Sequence, residues 1–403
     1  MKNLEINIEK LDHYGRGITK VNGFPIFVEN ALPDEKIKIE LINEKKKFCE
    51  AKTVEIIKES PFRVIPLCPY YDECGGCNIM HISYQQQLQF KENKVKEVLK
   101  KFADFDNVKK IISTDNFYYR NKVTLKVKEN IGYYKKKSYE IVPISKCLIA
   151  DDRINKIIDK LNSINLSNIQ EVVIRVSNKQ TMLVFYCNKD VTIDVNYFED
   201  VDTIICCNNG KKILKGNGNI EEEINGIKFI VSPTSFFQVN TNGMINLYNK
   251  VLEYANLKGN EKILDLYCGT GTIGIYLSKY CGKVFGIEIS EEAIHDALLN
   301  KEINDVGNID FKAGDVKEIL KKNKFMPDII VVDPPRAGLD KKVIEEINSL
   351  NPQKLIYVSC DAITLARDLN LLKEKFDIIE CSPVDMFPNT YHVETVVLLS
   401  REK

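Results

Sequence analysis

The chain is organised around the stretch LIYVSC at residues 355–360. Its apolar run ends in the polar pair Ser359 and Cys360, and residues 364–371 then read as the start of a helix. This pattern predicts a buried strand that ends in an exposed thiol and leads into a helix. Open α/β sheets place their chemistry at the carboxyl ends of their strands, so we predict that Cys360 lies at such a site. Core packing is the alternative for any one of the 12 cysteines, because most cysteines behave as small buried hydrophobes.

A glycine-rich turn follows another strand of the same predicted sheet. Residues 262–266 are predicted to form this strand, and residues 267–274 (YCGTGTIG) turn into a helix at 275–280. Glycines let the backbone pass close to a nucleoside, and the helix N-terminus is electropositive. The next predicted strand, 284–288, ends in Glu288, whose carboxylate suits two ribose hydroxyls. Dinucleotide sites and S-adenosylmethionine sites share these features, so the motif alone does not decide between them.

Two more predicted strands end in acidic residues. Asp315 follows the third strand, where an acid can meet the edge of an adenine ring, and Asp333 with two prolines follows the strand at 328–332. The prolines fix a rigid loop beside the cofactor. An acid followed by two prolines at this point resembles methyltransferases that act on planar nitrogen or on nucleobases. The RNA cytosine-5 enzymes usually carry a cysteine in this loop, where Arg336 stands in this chain.

Length and composition limit the class of protein. A chain of 403 residues predicts two or three domains. The 57 basic and 57 acidic residues balance, so a nucleic-acid partner requires local basic patches. Candidate patches lie at 45–47, 133–137 and 211–215, although each is also typical of a solvated lysine-rich turn. No apolar run is long enough to span a membrane, and the first residues lack the apolar segment of a signal peptide, which predicts a cytoplasmic protein.

The first 58 residues read as short strands separated by turns. Asn22-Gly23 is a strong hairpin signal between residues 18–21 and 24–28, and residues 36–41 alternate polar and apolar side chains. Strands packed this densely predict a small barrel of the oligonucleotide-binding type. The segment resembles a TRAM domain, an RNA-binding barrel found in RNA-modifying enzymes. A barrel without a ligand is the alternative.

Three cysteines lie within ten residues: Cys68, Cys74 and Cys77. Zinc can take three thiolates and a fourth ligand, whereas an iron–sulfur cluster needs four thiolates, commonly three clustered and one distant. Cys147 is the distant candidate. Spacing and ligand softness favour a cluster over zinc, and both remain open on the residues alone.

The residues between these motifs predict structure more clearly than function. Residues 83–102 are predicted to form a helix that Ser83 can cap, with an apolar stripe that includes Phe102. Residues 118–127 combine aromatic and basic side chains, which suits RNA or a solvated edge strand equally. The loop at 232–240 contains Gln238 and reads as a domain junction on its own. Residues 172–176 and 182–186 read as strands, and the remainder of 151–230 carries no functional signal.

Taken together, these motifs resemble the RNA uracil-5-methyltransferase family, and in particular its TRAM-containing, iron–sulfur type that acts on 23S ribosomal RNA. The resemblance spans nearly the whole chain. It implies a small TRAM barrel at 1–58 and a central, mostly β, iron–sulfur and RNA-binding domain at 66–82 and 113–230. It also implies an α/β Rossmann-like methyltransferase domain at 83–112 and 231–403, against which the early helix packs.

The resemblance also implies a role for each candidate residue. Cys360 would add to C6 of uracil, because C5 is a poor nucleophile until a thiolate at C6 gives it carbanion character. Glu394, at the start of a strongly apolar strand, would then remove the C5 proton; an edge salt bridge is the alternative for this residue. The family matches for S-adenosylmethionine are Gln238, Tyr267, Glu288, Asp315 and Asp333, and those for a [4Fe-4S] cluster are Cys68, Cys74, Cys77 and Cys147. His392 is expected to be structural, and the enzyme is expected to be a monomer.

One departure from the family concerns the catalytic loop. The family usually reads Ser-Cys-Asn-Pro, whereas Asp361 and Ala362 follow Cys360 here. Loss of the proline would loosen the loop, and the added carboxylate could raise the pKa of the thiol. Three other functions stay open: a transfer-RNA methyltransferase, an NAD-dependent iron–sulfur redox enzyme, and a non-catalytic RNA-binding protein that has kept the fold.

Overall fold

The computed structural model describes residues 3–322 and 324–401. Over this part of the chain the strands form three large sheets and one two-stranded hairpin. None of the helices described there has the length and apolar character needed to cross a membrane.

The first sheet is a small six-stranded structure at the start of the chain, with the strand order β1-β5-β6-β4-β3-β2. Its strands are β1 (Asn3–Asn7), β2 (Lys10–Leu11), β3 (Gly17–Val21), β4 (Phe24–Glu29), β5 (Lys36–Glu44) and β6 (Cys49–Lys58). The predicted hairpin between β3 and β4 is confirmed, and its two turn residues, Asn22 and Gly23, have φ angles of 50° and 79°. Positive φ at both positions is the reason that Asn-Gly is favoured in such turns.

The second sheet has seven strands in the order β13-β12-β11-β10-β7-β8-β9. They are β7 (Lys122–Val127), β8 (Ile131–Tyr134), β9 (Ile141–Pro143), β10 (Ile169–Val176), β11 (Thr181–Cys187), β12 (Thr203–Cys207) and β13 (Lys211–Lys215). Helix α2 (Asp152–Asn162) buries Ile154, Ile157, Ile158 and Leu161 against this sheet. A 3₁₀ turn at Val195–Phe198 lies between β11 and β12 of this sheet. The hairpin of β14 (Ile220–Ile224) and β15 (Ile227–Val231) follows β13 and leads into the rest of the chain.

The third sheet is doubly wound and has the strand order β18-β17-β16-β19-β20-β22-β21. Its strands are β16 (Lys262–Leu266), β17 (Lys283–Glu288), β18 (Ile309–Ala313), β19 (Ile329–Val332), β20 (Lys354–Ser359), β21 (Asp377–Val384) and β22 (Glu394–Ser400). The strands are parallel except β22, which runs antiparallel to both of its neighbours. The chain leaves β16 toward β17 and β18 and returns on the other side to β19, so the carboxyl ends of β16 and β19 form the switch point where such sheets bind ligands.

Helices cover both faces of the third sheet. They are α1 (Tyr84–Ala103), α3 (Thr241–Ala255), α4 (Thr272–Ser278), α5 (Glu291–Ile303), α6 (Val316–Lys322), α7 (Lys341–Leu350) and α8 (Ala362–Leu372). In β20, Leu355 and Tyr357 face one core, and Ile356 and Val358 face the other. Burial on both faces explains the continuous apolar run of this strand.

Helix α1 lies early in the chain but packs against two elements from late in the chain, α8 and β21. Two details of the prediction for this helix are wrong. The Ser83 hydroxyl does not cap α1; the Ser83 carbonyl instead accepts the N–H groups of Gln86 and Gln87. Phe102 does not belong to the buried stripe, because its side chain is 49% exposed and turned away from the core.

Candidate active site

A cavity of about 880 Å³ opens at the carboxyl ends of β16, β17, β19 and β20. We call it the catalytic cavity. All seven residues that the sequence predicted for cofactor binding and catalysis line it: Gln238, Tyr267, Glu288, Asp315, Asp333, Cys360 and Glu394. They come from seven separate points along the chain, and the fold brings them to one place.

The glycine turn after β16 shapes one end of the catalytic cavity. Tyr267, Gly269 and Gly271 have φ angles of 63°, 53° and 77°, so the backbone coils tightly here. A Cβ on Gly271 would lie 2.5 Å from the ring of Phe311, which leaves room only for glycine. Glu288 is fixed at the end of β17, where its two carboxylate oxygens accept the N–H groups of Gly269 at 3.2 Å and Ser290 at 3.0 Å.

Asp265 is a further candidate that the sequence prediction missed. It is the one acid in the apolar strand β16, it is fully buried beneath the glycine turn, and neither carboxylate oxygen has a hydrogen-bond partner among the described residues. Burial, with repulsion from Asp333 and Glu288, raises the pKa of Asp265 to about 8, although the nearby Gly274 amide opposes this. An acid inside an otherwise apolar strand is the signal that could have identified it.

Replacing Asp265 with asparagine is expected to stabilise the ligand-free protein at pH 8 but not at pH 4. Between pH 4 and pH 8 the Asp265 carboxyl ionises in the unfolded chain but stays largely protonated in the folded protein. The free energy of unfolding of the parent therefore falls as the pH rises. Asparagine does not ionise, so the variant lacks this dependence on pH. We expect a gain on the order of 1 kcal/mol at pH 8, because one pKa unit corresponds to about 1.4 kcal/mol and relaxation of the fold reduces the full effect. Thermal unfolding at both pH values checks this, and an equal change in stability at pH 4 and pH 8 would contradict it.

Cys360 and Glu394 are neighbours in the catalytic cavity. The Cys360 thiol is half-buried, and burial, followed by the charges of Glu394 and Asp333, raises its pKa to about 11, while Arg336 acts in the opposite direction. Burial and the charge of Asp333 raise the pKa of Glu394 to about 8. Burial raises the pKa of Asp333 to about 7. The ligand-free site therefore favours a thiol and protonated acids, and a bound cation would draw both acids toward ionisation.

Glu394 is not at the edge of the sheet. Its strand, β22, lies between β20 and β21, and the Glu394 side chain is only 6% exposed. The alternative of an edge salt bridge is therefore wrong. A buried carboxyl with a raised pKa that faces a thiol in a cavity is typical of a group that handles protons.

The loop between β21 and β22 is held by buried side chains of α1. Lys91 donates to Asp385 at 2.5 Å and to the Phe387 carbonyl at 2.9 Å, with both charged side chains fully buried. Gln87 bonds to Asn389 twice, accepting its N–H at 2.9 Å and donating to its side-chain oxygen at 3.1 Å. These bonds fix the approach to Glu394. His392 is on the same loop and lines the cavity, but burial and nearby cations lower its pKa to about 4, so the ring is neutral.

Asp361 has a structural role at the start of the helix that follows the thiol. Its carboxylate accepts the N–H groups of Ile363 at 2.9 Å and Thr364 at 3.0 Å, and so caps helix α8. The largest acidic contributions to the raised pKa of Cys360 come from Glu394 and Asp333. A helix N-terminus favours a negative charge, which stabilises the carboxylate in the capping position.

Replacing Asp361 with asparagine, the family residue, is expected to leave stability within about 0.5 kcal/mol of the parent, because asparagine is an equally good cap. Alanine at the same position is expected to cost about 1 kcal/mol, because both amide bonds are lost. Urea unfolding of the two variants checks this prediction. A large loss in the asparagine variant would show that the charge, rather than the cap, matters.

The four predicted cluster cysteines also come together. Cys68, Cys77 and Cys147 pack around a small core formed by Tyr71, Met80, Tyr119 and Ile149. Burial raises the pKa of Cys74 and Cys77, and the charges of the other thiols in the set raise both further. No three His, Cys, Asp or Glu side chains in residues 3–322 and 324–401 are close enough to hold one metal ion.

Two known protein families match separate parts of the chain. A family described as tRNA (Uracil-5-)-methyltransferase matches residues 83–402, and a TRAM domain matches residues 2–54. An "Uncharacterized RNA methyltransferase" of Clostridium tetani is 39% identical over 96% of this chain and 94% of its own length. A protein of the same description from Clostridium acetobutylicum is 37% identical over 98% and 96%.

A solved structure also matches over nearly the whole chain. The Pyrococcus abyssi tRNA (uracil-54, C5)-methyltransferase, determined in complex with S-adenosyl-L-homocysteine, is 30% identical and covers 98% of this chain and 100% of its own, with a TM-score of 0.84. The predicted fold, a Rossmann-like methyltransferase preceded by a small β-domain, is confirmed.

Proposed function

The chain belongs to the tRNA (uracil-5-)-methyltransferase family and is an S-adenosylmethionine-dependent RNA methyltransferase, and on this premise we propose that it methylates C5 of a uridine through a covalent adduct with Cys360. The placing of Cys360 beside Glu394 in the catalytic cavity carries the proposal. Family membership decides against the NAD-dependent redox alternative.

The side chains around the thiol suit each step of this chemistry. The Cys360 sulfur adds to C6 of the uracil, and the electron pair moves to C5. When bound, S-adenosylmethionine would supply an electrophilic methyl group; the electron pair at C5 forms the bond to this methyl carbon, its bond to the sulfonium sulfur breaks, and S-adenosylhomocysteine is left. Glu394 then takes the proton from C5, the C5–C6 double bond re-forms, and the thiolate leaves. Arg336 lies near enough to favour the anionic form of the thiol.

The methyl donor is proposed to lie along the glycine turn. Glu288 would bind the ribose hydroxyls, and Asp315 would meet the adenine edge. Tyr267 and Gln238 would enclose the donor, and Asp333 would face its sulfonium end. The positive charge of the sulfonium would offset the negative charge of the carboxylates in this part of the cavity. A positive ligand beside groups whose pKa burial has raised is favourable, because it stabilises their ionised forms.

Three parts of the chain are proposed to divide the work. The barrel at 1–58 and the central domain at 66–82 and 113–230 would hold the RNA, and 83–112 with 231–403 would perform methyl transfer. The target base must leave its stack to reach Cys360, which implies base flipping or remodelling of a loop.

We propose 23S ribosomal RNA as the substrate, on the resemblance to the TRAM-containing, iron–sulfur type of enzyme. Transfer RNA is the second candidate, favoured by one observation: the Pyrococcus enzyme, named for tRNA uracil-54, matches this chain over 98% of its length. An overall architecture with a barrel in front is therefore compatible with either RNA.

The experiment that tests the function uses RNA labelled with tritium at C5 of uridine. Unmodified 23S ribosomal RNA and unmodified transfer RNA are each incubated with the enzyme and S-adenosylmethionine. We expect release of tritium to water from one RNA and not from the other. No release from either would overturn the assignment and favour a non-catalytic RNA-binding protein.

We also propose that Cys68, Cys74, Cys77 and Cys147 hold a [4Fe-4S] cluster. Three of the four thiols, those of Cys68, Cys77 and Cys147, pack around an apolar core. The fourth, that of Cys74, accepts the N–H of Gly76 at 3.4 Å. Amide hydrogen bonds to sulfur are among the interactions that tune such clusters. The cluster would have a structural role, because methyl transfer requires no electron transfer.

Replacing Cys74 with serine is expected to remove the cluster. Protein purified without oxygen should contain about four iron and four sulfide atoms per chain, and the variant should lose most of both together with the visible absorbance. Cys207→Ser is the matched control, because Cys207 is also a half-buried cysteine but lies in β12. Iron bound equally by both variants, or zinc found instead of iron in the parent, would contradict the proposal.

A further inference from the structure

A second cavity, of about 640 Å³, lies where three parts of the chain meet. The barrel contributes Tyr14 and Arg16, the cysteine loop contributes Gly75 and Gly76, and the turn after β8 contributes Tyr134 and Lys135–Lys137. Tyr391, from the loop that leads to Glu394, completes it. None of these residues takes part in the methyl transfer described above.

The walls of the second cavity carry exposed aromatic rings. Tyr14 is 56% exposed and Tyr134 is 37% exposed, although large aromatic side chains are mostly buried. The ring of Tyr14 meets the ring of Tyr391 edge-on, with centroids 5.3 Å apart. Rings that are held in place on one side and open on the other are the platforms on which single-stranded bases stack.

The charge of the same walls is positive. Four cations line the cavity, Arg16 and Lys135–Lys137, against one carboxylate, Glu29. Most of this charge is already paired, since Lys137 binds Glu29 at 2.6 Å, Lys135 binds Glu73 at 3.4 Å, and Arg16 binds Asp12 at 2.7 Å. Lys136 makes no ion pair among the described residues and lies over the ring of Tyr71, 4.5 Å from its centroid. Lys136, with the exposed ends of the paired lysines beside it, suits contact with a phosphate backbone.

The second cavity lies next to the catalytic cavity. Tyr391 lines the second cavity and His392 lines the catalytic one. The centroids of the two rings are 4.3 Å apart, so this pair of adjacent rings separates the two spaces. A strand that places a base against Cys360 can therefore reach over these two rings into the second cavity.

We propose that the second cavity binds another unstacked nucleotide of the same RNA strand, within a few residues of the target uridine. Its base stacks on Tyr14 and Tyr134, and the phosphates beside it face the Lys135–Lys137 run. This inference rests on the proposed function, because its occupant is defined as a neighbour of the target. It deepens that function, since the substrate must then be single-stranded across both cavities.

Binding of oligouridylates of one to nine residues tests this, with S-adenosylhomocysteine present so that no methyl group is transferred. The parent is expected to show a step in affinity at the length that first spans both cavities. Tyr14→Leu and Tyr134→Leu are expected to remove this step and to weaken binding of the longest probe by about tenfold, as loss of one stacked base does. Binding of the shortest probes should be unchanged.

Tyr280→Leu is the matched control, because Tyr280 is similarly exposed, at 47%, but lies beyond α4 in the methyltransferase domain. Absence of a length step in the parent, or an equal loss in Tyr280→Leu, would overturn the second cavity as a binding site. This inference would be refuted, and the proposed function would stand, if the parent released tritium but bound oligouridylates of every length with the same affinity as the Tyr14→Leu variant. A length step without tritium release from any RNA would refute the function alone.

Discussion

Cys360→Ala is expected to abolish methyl transfer while leaving the binding of the methyl donor intact. Without the thiolate, C5 of uracil has no carbanion character, so the loss should be at least about 10⁴-fold in the rate of tritium release. The Cys360 side chain is half-buried at the end of β20. Alanine would replace nearly all of its contribution to core packing. Titration with S-adenosylhomocysteine should therefore give the parent affinity.

Denaturing gels with RNA that contains 5-fluorouridine add a second measurement. A base cannot remove fluorine from C5 as it removes a proton, so the thiolate cannot be eliminated and the covalent adduct persists. The parent should form a complex that survives denaturation, and Cys360→Ala should not. Cys207→Ser serves as the control, because it removes a half-buried thiol far from the cavity. Methylation by Cys360→Ala at a rate near that of the parent would show that another group attacks C6.

Glu394→Gln is expected to separate methyl transfer from proton removal. Glutamine keeps the shape of the side chain but cannot accept the C5 proton, so the enzyme should methylate once and remain attached to its RNA. Tritium release should fall by about 10² to 10⁴-fold, the usual contribution of a general base. A methylated, covalently bound RNA should accumulate even with an ordinary uridine substrate.

The charge of Glu394 also predicts a change at the thiol. Because Glu394 raises the pKa of Cys360, its removal should lower that pKa and increase the thiolate fraction at a given pH. The Cys360 peptide of Glu394→Gln should therefore be alkylated faster than that of the parent at pH 8 to 9, as measured by mass spectrometry. Slower or equal alkylation, together with normal product release, would place the base elsewhere.

The third sheet was predictable because its signals were local. Strands buried on both faces appear as continuous apolar runs, and several functional residues, such as Cys360 and Asp333, stand at the end of such a run. Helix α2 was predictable but was not predicted: Ile154, Ile157, Ile158 and Leu161 have the i, i+3, i+4, i+7 spacing of a buried helical face. The edge strand β13 has mostly exposed side chains and no such pattern.

The candidate site was only partly predictable, because some of its properties depend on distant contacts. Nothing in the local sequence shows that Lys91 would pair with Asp385 inside the core, or that Tyr14 would meet Tyr391. The capping role of Asp361 has the same origin, since a carboxylate next to a thiol in sequence can point either way until the helix that it caps is formed. Asp265 shows the opposite case, in which the local signal was present but was read as part of a strand.

The contacts of α1 have a consequence for the order in which the protein is made. Gln87 bonds to Asn389, 302 positions later, and Lys91 bonds to Asp385, 294 positions later. On the ribosome, α1 therefore emerges long before its partners, with a lysine that is fully buried in the folded protein. Such long-range pairing is slow to form, because the entropy of loop closure is lost before the contacts are gained. The approach to Glu394 is thus completed only after residues 385–394 have emerged, and a chain truncated within β21 would lack both the base and the partner for Lys91.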